Sequence, residues 1–186
     1  MSLTFYKSNN YSSYSFNNAT FNTGGLTGRN GPTLTQARNA LTGTPSPSTW
    51  SSTYLQMNSY QGIQQWTVPQ TGVYTITCAG AGYIPLHGTG FGAVITAKFT
   101  LNKGDILNIV CGQQGNEYAY GQAGAGGSFV FTSTSLLIAA GGSGGTNAHG
   151  LTTPANATAS LTTSGKSSSY GASGGVGPNG GGGGGG

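Results

Sequence analysis

Charge is what this sequence has least of. Asp, Glu, Lys and Arg make up 4% of its 186 residues, against roughly 25% in an ordinary globular chain. The only acids are Asp105 and Glu117, and the bases Lys7, Arg29, Arg38, Lys98, Lys103 and Lys166 are scattered without a run or stripe. The net charge of +4 therefore reflects few acids rather than a basic patch. A nucleic-acid partner, which needs a phosphate-facing cluster, is excluded on that ground. Long apolar runs are missing too: no window approaches 18 apolar residues, so no membrane insertion is expected. The first thirty residues carry no charged segment followed by an apolar core, so no signal peptide is recognisable.

The residues of chemistry are equally sparse. Asp105 follows Gly104 and reads as a turn residue opening a strand, and Glu117 sits in a glycine-rich loop. His87 and His149 lie on glycine-rich loops without the further ligands a metal site requires. Lys166 in SGKSSS ends like a phosphate-binding loop, but Ser160 stands where that pattern needs its first glycine. GAGYIP opens like a dinucleotide fingerprint, but Pro85 replaces the third glycine and no helix follows. No catalytic residue, cofactor or metal is therefore assigned, and the chain reads as a non-enzyme. An enzymatic alternative would need a pocket lined by Asp105, Glu117 and a histidine.

Glycine, by contrast, is abundant: there are 36, about one residue in five. Such bias often marks disorder, yet 35% of residues are hydrophobic and 10% aromatic, enough to build a core. The organising stretch is residues 64–82, QQWTVPQTGVYTITCAGAG. Tyr74, Ile76 and Cys78 alternate with Val73, Thr75 and Thr77, the pattern of a half-buried strand, and the strand dissolves into AGAG. The same transition recurs after 94–99, 106–111 and 136–140.

Taken in order, residues 1–49 read as an N-terminal arm, with one short strand near 14–21, a helix over 31–41 that Gly43 stops, and a linker at 44–49. Residues 50–186 read as a glycine-rich β-sandwich. Its strands fall at 50–57, 63–68, 73–79, 92–99, 106–111, 128–132 and 136–140. The glycine-rich segments GAGYIPLHGTGFG, GQQGNEYAYGQAGAGG and GGSGGTNAHG exceed the two to five residues of ordinary hairpin loops. Polyglycine can form polyproline-II-type helices that pack side by side with backbone hydrogen bonds between neighbours. Four such tracts are expected, at 80–92, 112–127, 141–150 and 171–186. The closing run of glycines leads to the expectation that the chain continues past Gly186.

Several side chains leave alternatives open. Tyr83, Phe91, Tyr118, Tyr120 and Tyr170 lie in or beside glycine tracts, where they either staple the glycine helices to the sandwich or form contacts to a sugar or another subunit. Cys78 and Cys111 each end a strand and are either a disulfide pair or two small buried thiols. Asn10, Asn18 and Asn156 begin N-x-Ser/Thr triplets, candidate glycosylation points in a secreted chain.

Trp66-Thr-Val-Pro69, Thr71-Gly72-Val-Tyr74, Cys78-Ala-Gly80-Ala-Gly82, the Lys103-Gly104-Asp105 turn, residues 107–115 ending in Gln113-Gln114-Gly115, and Gly126-Gly127-Ser128-Phe129 form an ordered series. Together they resemble the glycine-rich domain of the anaplastic lymphoma and leukocyte receptor tyrosine kinase ectodomains. Similar modules occur in large DNA virus, phage and microbial surface proteins. The resemblance covers about residues 62–186 and implies a jelly-roll-like sandwich bearing bundled polyglycine-II helices, with one more strand after the long glycine run. Bulky residues in GAGYIPLHGTG depart from the family pattern, and cytokine binding does not carry over. The expectation is an all-β, non-enzymatic structural or adhesive module of a virion or cell-surface appendage, associating with itself and with surface glycans. The alternative is an extracellular filament subunit whose N-terminal arm adds a strand to its neighbour.

Overall fold

The computed structural model describes residues 2–8, 17–82, 90–118 and 121–147. Along the chain run β1 (Ser2–Ser8), β2 (Asn18–Asn22), helix α1 (Leu34–Ala40), β3 (Thr42–Thr44), a 3₁₀ turn (Pro47–Thr49), helix α2 (Ser51–Tyr54), β4 (Leu55–Gln56), β5 (Gln64–Thr67) and β6 (Gly72–Ala79). There follow β7 (Val94–Leu101), β8 (Ile106–Val110), β9 (Glu117–Tyr118), β10 (Gly121–Gln122), β11 (Ser128–Phe131), β12 (Leu136–Ala140) and β13 (Thr146–Asn147). They form two five-stranded antiparallel sheets, β3-β2-β1-β6-β7 and β12-β11-β8-β5-β4, and a small ribbon, β13-β10-β9. The architecture is an all-β sandwich.

Alternation decides which side chains meet between the sheets. On β6, Tyr74, Ile76 and Cys78 are buried while Val73, Thr75 and Thr77 face outward, as the period of two requires. Opposite them lie Trp66, Leu107, Ile109 and Val130 of the second sheet. The Trp66 ring is the hub, with centroids 5.0 Å from Phe5, 5.8 Å from Tyr74 and 6.0 Å from Phe21. Each such fully buried side chain contributes about 1.5–3 kcal/mol through the water it sheds. Gln64, also fully buried, bridges the sheets by donating its amide to the Asn22 carbonyl at 3.2 Å.

The N-terminal segment differs most from expectation. Residues 1–49 are not set apart as an arm: β1 lies between β2 and β6, and Leu3, Phe5, Ala19 and Phe21 are fully buried core residues. The period-two pair Leu3 and Phe5 puts two large apolar groups on one face, and burying them requires a central place in the sheet.

Residues 50–57, expected as a strand, form α2 and the two-residue β4. Trp50 and Leu55 are both buried, and five positions apart they would face opposite sides of a strand. One helical turn brings both inside. The expected helix is present as α1, with Thr33 as its N-cap: Thr33 Oγ1 accepts from the Gln36 amide (3.3 Å) and Gln36 Oε1 accepts from the Thr33 amide (2.9 Å). The helix ends at Ala40, and Gly43, expected to stop it, lies in β3 instead. A Cβ there would strike the backbone of Asn18 and Ala19 on β2.

Candidate functional site

Because the strands are antiparallel, β6, β8 and β12 end at the same pole from which β7 and β11 start. The glycine-rich residues 80–82, 90–93, 112–116, 123–127 and 141–145 therefore converge there. They are bound to one another through the backbone. Gly80 N donates to Ala93 O (2.9 Å), Ala93 N to Gly141 O (2.9 Å), Ser143 N to Ala81 O (2.8 Å) and Ala81 N to Gly126 O (2.8 Å). Gly126 N in turn reaches Gln113 O (2.8 Å), and Ala125 N reaches Ser143 O (2.9 Å). The segment 80–82 thus bonds to three neighbours, two of them from the other sheet's strands, where a strand in a sheet has two.

Glycine is required here by space. A Cβ on Gly80, Gly92, Gly112, Gly115 or Gly142 would fall inside van der Waals contact of a neighbouring carbonyl. None of these five has a positive φ; those glycines lie elsewhere, as at Gly28 and Gly104. Ser128, completely buried, ties the pole to both sheets: its hydroxyl accepts from Gly112 N (2.8 Å) and donates to Ala79 O (2.7 Å). The Cys78 thiol donates to the Ser128 carbonyl at 3.3 Å.

Cys78 and Cys111 are both free and buried. Burial pushes the Cys78 thiol up to about 11 and the Cys111 thiol up to about 12. As neutral thiols they fill space, and neither is poised as a nucleophile.

Beside the glycine pole the loop 26–30 folds over residues 112–116, held by a parallel bridge between Thr27 and Gln114 and by Gly28 N donating to Gln114 O at 3.0 Å. Two clefts open along this seam, of about 430 Å³ and about 370 Å³, and both are lined by Gly28, Arg29 and Asn116. Gln113 lines the larger cleft, with its side-chain oxygen buried and unpaired among the described residues. Asn30, Gln36 and Gln61 line the smaller one.

The residues singled out by sequence are distributed differently. Phe91 stands 59% exposed at the glycine pole. Tyr118 is placed on β9 through its backbone, while Tyr83, Tyr120 and Tyr170 lie outside the described residues, as do His87, His149 and Lys166. Asn18 sits half-buried on β2, between β1 and β3, and Asn10 and Asn156 lie outside the described residues. Asp105 is the turn residue expected: its carboxylate accepts from Asn102 N at 2.7 Å. Glu117 follows the far end of β8, so the five residues of that strand, about 17 Å of extended chain, separate the two acids. The pocket an enzyme would need is not assembled from them. Arg29 was passed over as one of the scattered bases. Its one sequence signal is its place in a loop punctuated by Gly28 and Gly31.

Fold and site together define an all-β sandwich whose strand ends at one pole are joined by hydrogen-bonded glycine segments. Over 101 residues, 52% of this chain, the sequence is 38% identical to the leukocyte tyrosine kinase receptor of Mus musculus. The match falls in the glycine-rich ectodomain region of that receptor and not in its catalytic part. It spans 11% of the receptor's length. No family model matches the chain.

Proposed function

We propose that this chain is a non-enzymatic structural and adhesive module, displayed on a virion or a cell surface, that associates with copies of itself and binds surface glycans. In this reading the sandwich is jelly-roll-like and its glycine segments are polyglycine-II helices packed side by side. A threefold helix offers amides in three directions, which suits the three neighbours of residues 80–82 and the need for glycine without positive φ. Similarity to a receptor ectodomain region supports an extracellular place.

The observation that carries self-association is the edge of β7. This eight-residue strand pairs with β6 on one side, and no described strand pairs with its other side. Val94 is 61% exposed and Ile95 38% on that strand, and Phe91 stands just before it. An unpaired edge of this length, apolar at its start although Lys98 stands further along it, is a template for another copy. With so little charge on the chain, few ions need desolvating when copies meet.

Sedimentation velocity across a concentration series tests this directly. The native chain is expected to associate, and Val94→Lys, which adds a second charge to that of Lys98, at the apolar start of the edge and without entering the core, is expected to shift it to monomer. A native chain that stays monomeric throughout, or a variant that associates as the native chain does, overturns the reading.

A further inference from the structure

We propose that the paired clefts at Arg29 bind a carboxylate-bearing sugar, of the uronic or sialic class; this rests on the glycan-binding part of the function proposed above and names its site. Three observations converge. The clefts share Gly28, Arg29 and Asn116, so Arg29 belongs to the wall where the two meet, and each has a volume near that of small-ligand sites. Their other polar side chains are uncharged, chiefly the amides Asn30, Gln36 and Gln61 with the Thr27 hydroxyl on one side and Gln113 and Gln114 on the other. Gln36 Oε1 and Gln61 Nε2 already serve Thr33 and Gly31, which leaves the Gln36 amide nitrogen and the Gln61 oxygen for hydroxyl groups. The Gln113 side-chain oxygen lies buried behind the wall of the larger cleft without a partner among the described residues, so a turn of that side chain is needed to bring it to a ligand.

The charge assignment follows from which cations are already engaged. Arg38 donates to the backbone carbonyls of Leu55 (2.8 Å) and Ser52 (3.3 Å). Lys103 belongs to the turn at the opposite end of β8, and Lys98 stands on β7. Arg29 is exposed and, among the described residues, is the only cation lining either cleft. A guanidinium takes a carboxylate through two parallel hydrogen bonds, which a neutral sugar cannot reciprocate. Asp105 lies beyond β8, so Glu117, next to Asn116 on β9, is the only acid the chain places near the site.

The test is a titration of the full chain with glucuronic-acid-terminated and sialic-acid-terminated oligosaccharides against their neutral counterparts. The acidic sugars are expected to bind more tightly, with affinity falling as salt rises. Arg29→Gln is expected to weaken acidic-sugar binding roughly tenfold or more, the loss of one charge-assisted pair, and to leave the melting temperature unchanged because the side chain is exposed. Glu117→Gln is expected to bind at least as tightly as the native chain. Equal binding of acidic and neutral sugars, an unaffected Arg29→Gln, or a loss on Glu117→Gln overturns the assignment of this site while leaving glycan adhesion standing. Absence of binding to every sugar overturns this assignment and glycan adhesion together, and self-association, read by sedimentation, is then the part that survives.

Discussion

Ser128 is the residue on which the two halves of the structure depend at closest range. Its hydroxyl serves Gly112 N and Ala79 O at once, so it joins the end of β8 to the end of β6 from the first position of β11. Replacing it by alanine leaves one buried donor and one buried acceptor, each costing about 1–3 kcal/mol when no partner is found. Ser128→Ala is therefore expected to lower stability by about 2 kcal/mol or more in urea unfolding, and a change below about 0.5 kcal/mol would show that the two backbone groups find other partners. Nothing in the triplet Gly126-Gly127-Ser128 marks this serine as buried. Its role exists only because Ala79 and Gly112, far from it in sequence, lie beside it.

At the scale of elements, the glycine segments divide into positions where a methyl group fits and positions where it does not. Gly80 and Gly92 face the carbonyls of Gly141 and Gly80, whereas a Cβ on Gly141 meets nothing within 4 Å. Gly80→Ala is expected to destabilise by about 1–3 kcal/mol, as overpacking does, with displacement of the neighbouring segment. Gly141→Ala is expected to be neutral, or to stabilise by up to about 1 kcal/mol by restricting the unfolded chain. Thermal melts of the two variants side by side decide the matter, and equal losses would contradict the packing described. The sequence distinguishes neither glycine from the other. Strands β5, β6, β8, β11 and β12 were legible because alternation and bounding turns are local properties. β1 was not, because Leu3 and Phe5 are followed at once by a polar run, and α2 was not, because residues 50–57 alternate without being a strand.

For the molecule as a whole, scarcity of charge moves pH sensitivity into the alkaline range. Cys78, Cys111 and Tyr74 are raised by burial to about 11, about 12 and about 12, from ordinary values of 9.0, 9.0 and 10.0. Above pH 9 the unfolded chain begins to lose protons that the folded chain keeps, so the stability these groups contribute is full below that pH and lost as pH rises toward 12. The melting temperature is expected to fall from about pH 9 upward, and in a Cys78→Ala, Cys111→Ala double variant the fall is expected to begin nearer pH 10, where Tyr74 acts alone. An unchanged onset in that variant would remove the thiols from the account. The association expected through the β7 edge belongs to this scale as well, since an unpaired edge with an apolar start and a nearly neutral surface favour contact between copies.

By itself the sequence determined the all-β class, the strands with clear alternation, the presence of one short helix near residues 31–41 and the gathering of glycine in loops, because each of these follows from neighbours a few residues apart. Tertiary structure alone decided that β1 fills the middle of a sheet, that one glycine must be bare while another has room, that Ser128 spans both sheets, and that Arg29 stands between two amide-lined clefts. These are contacts between residues distant in the chain, and a local pattern carries no information about which distant backbone will lie against it.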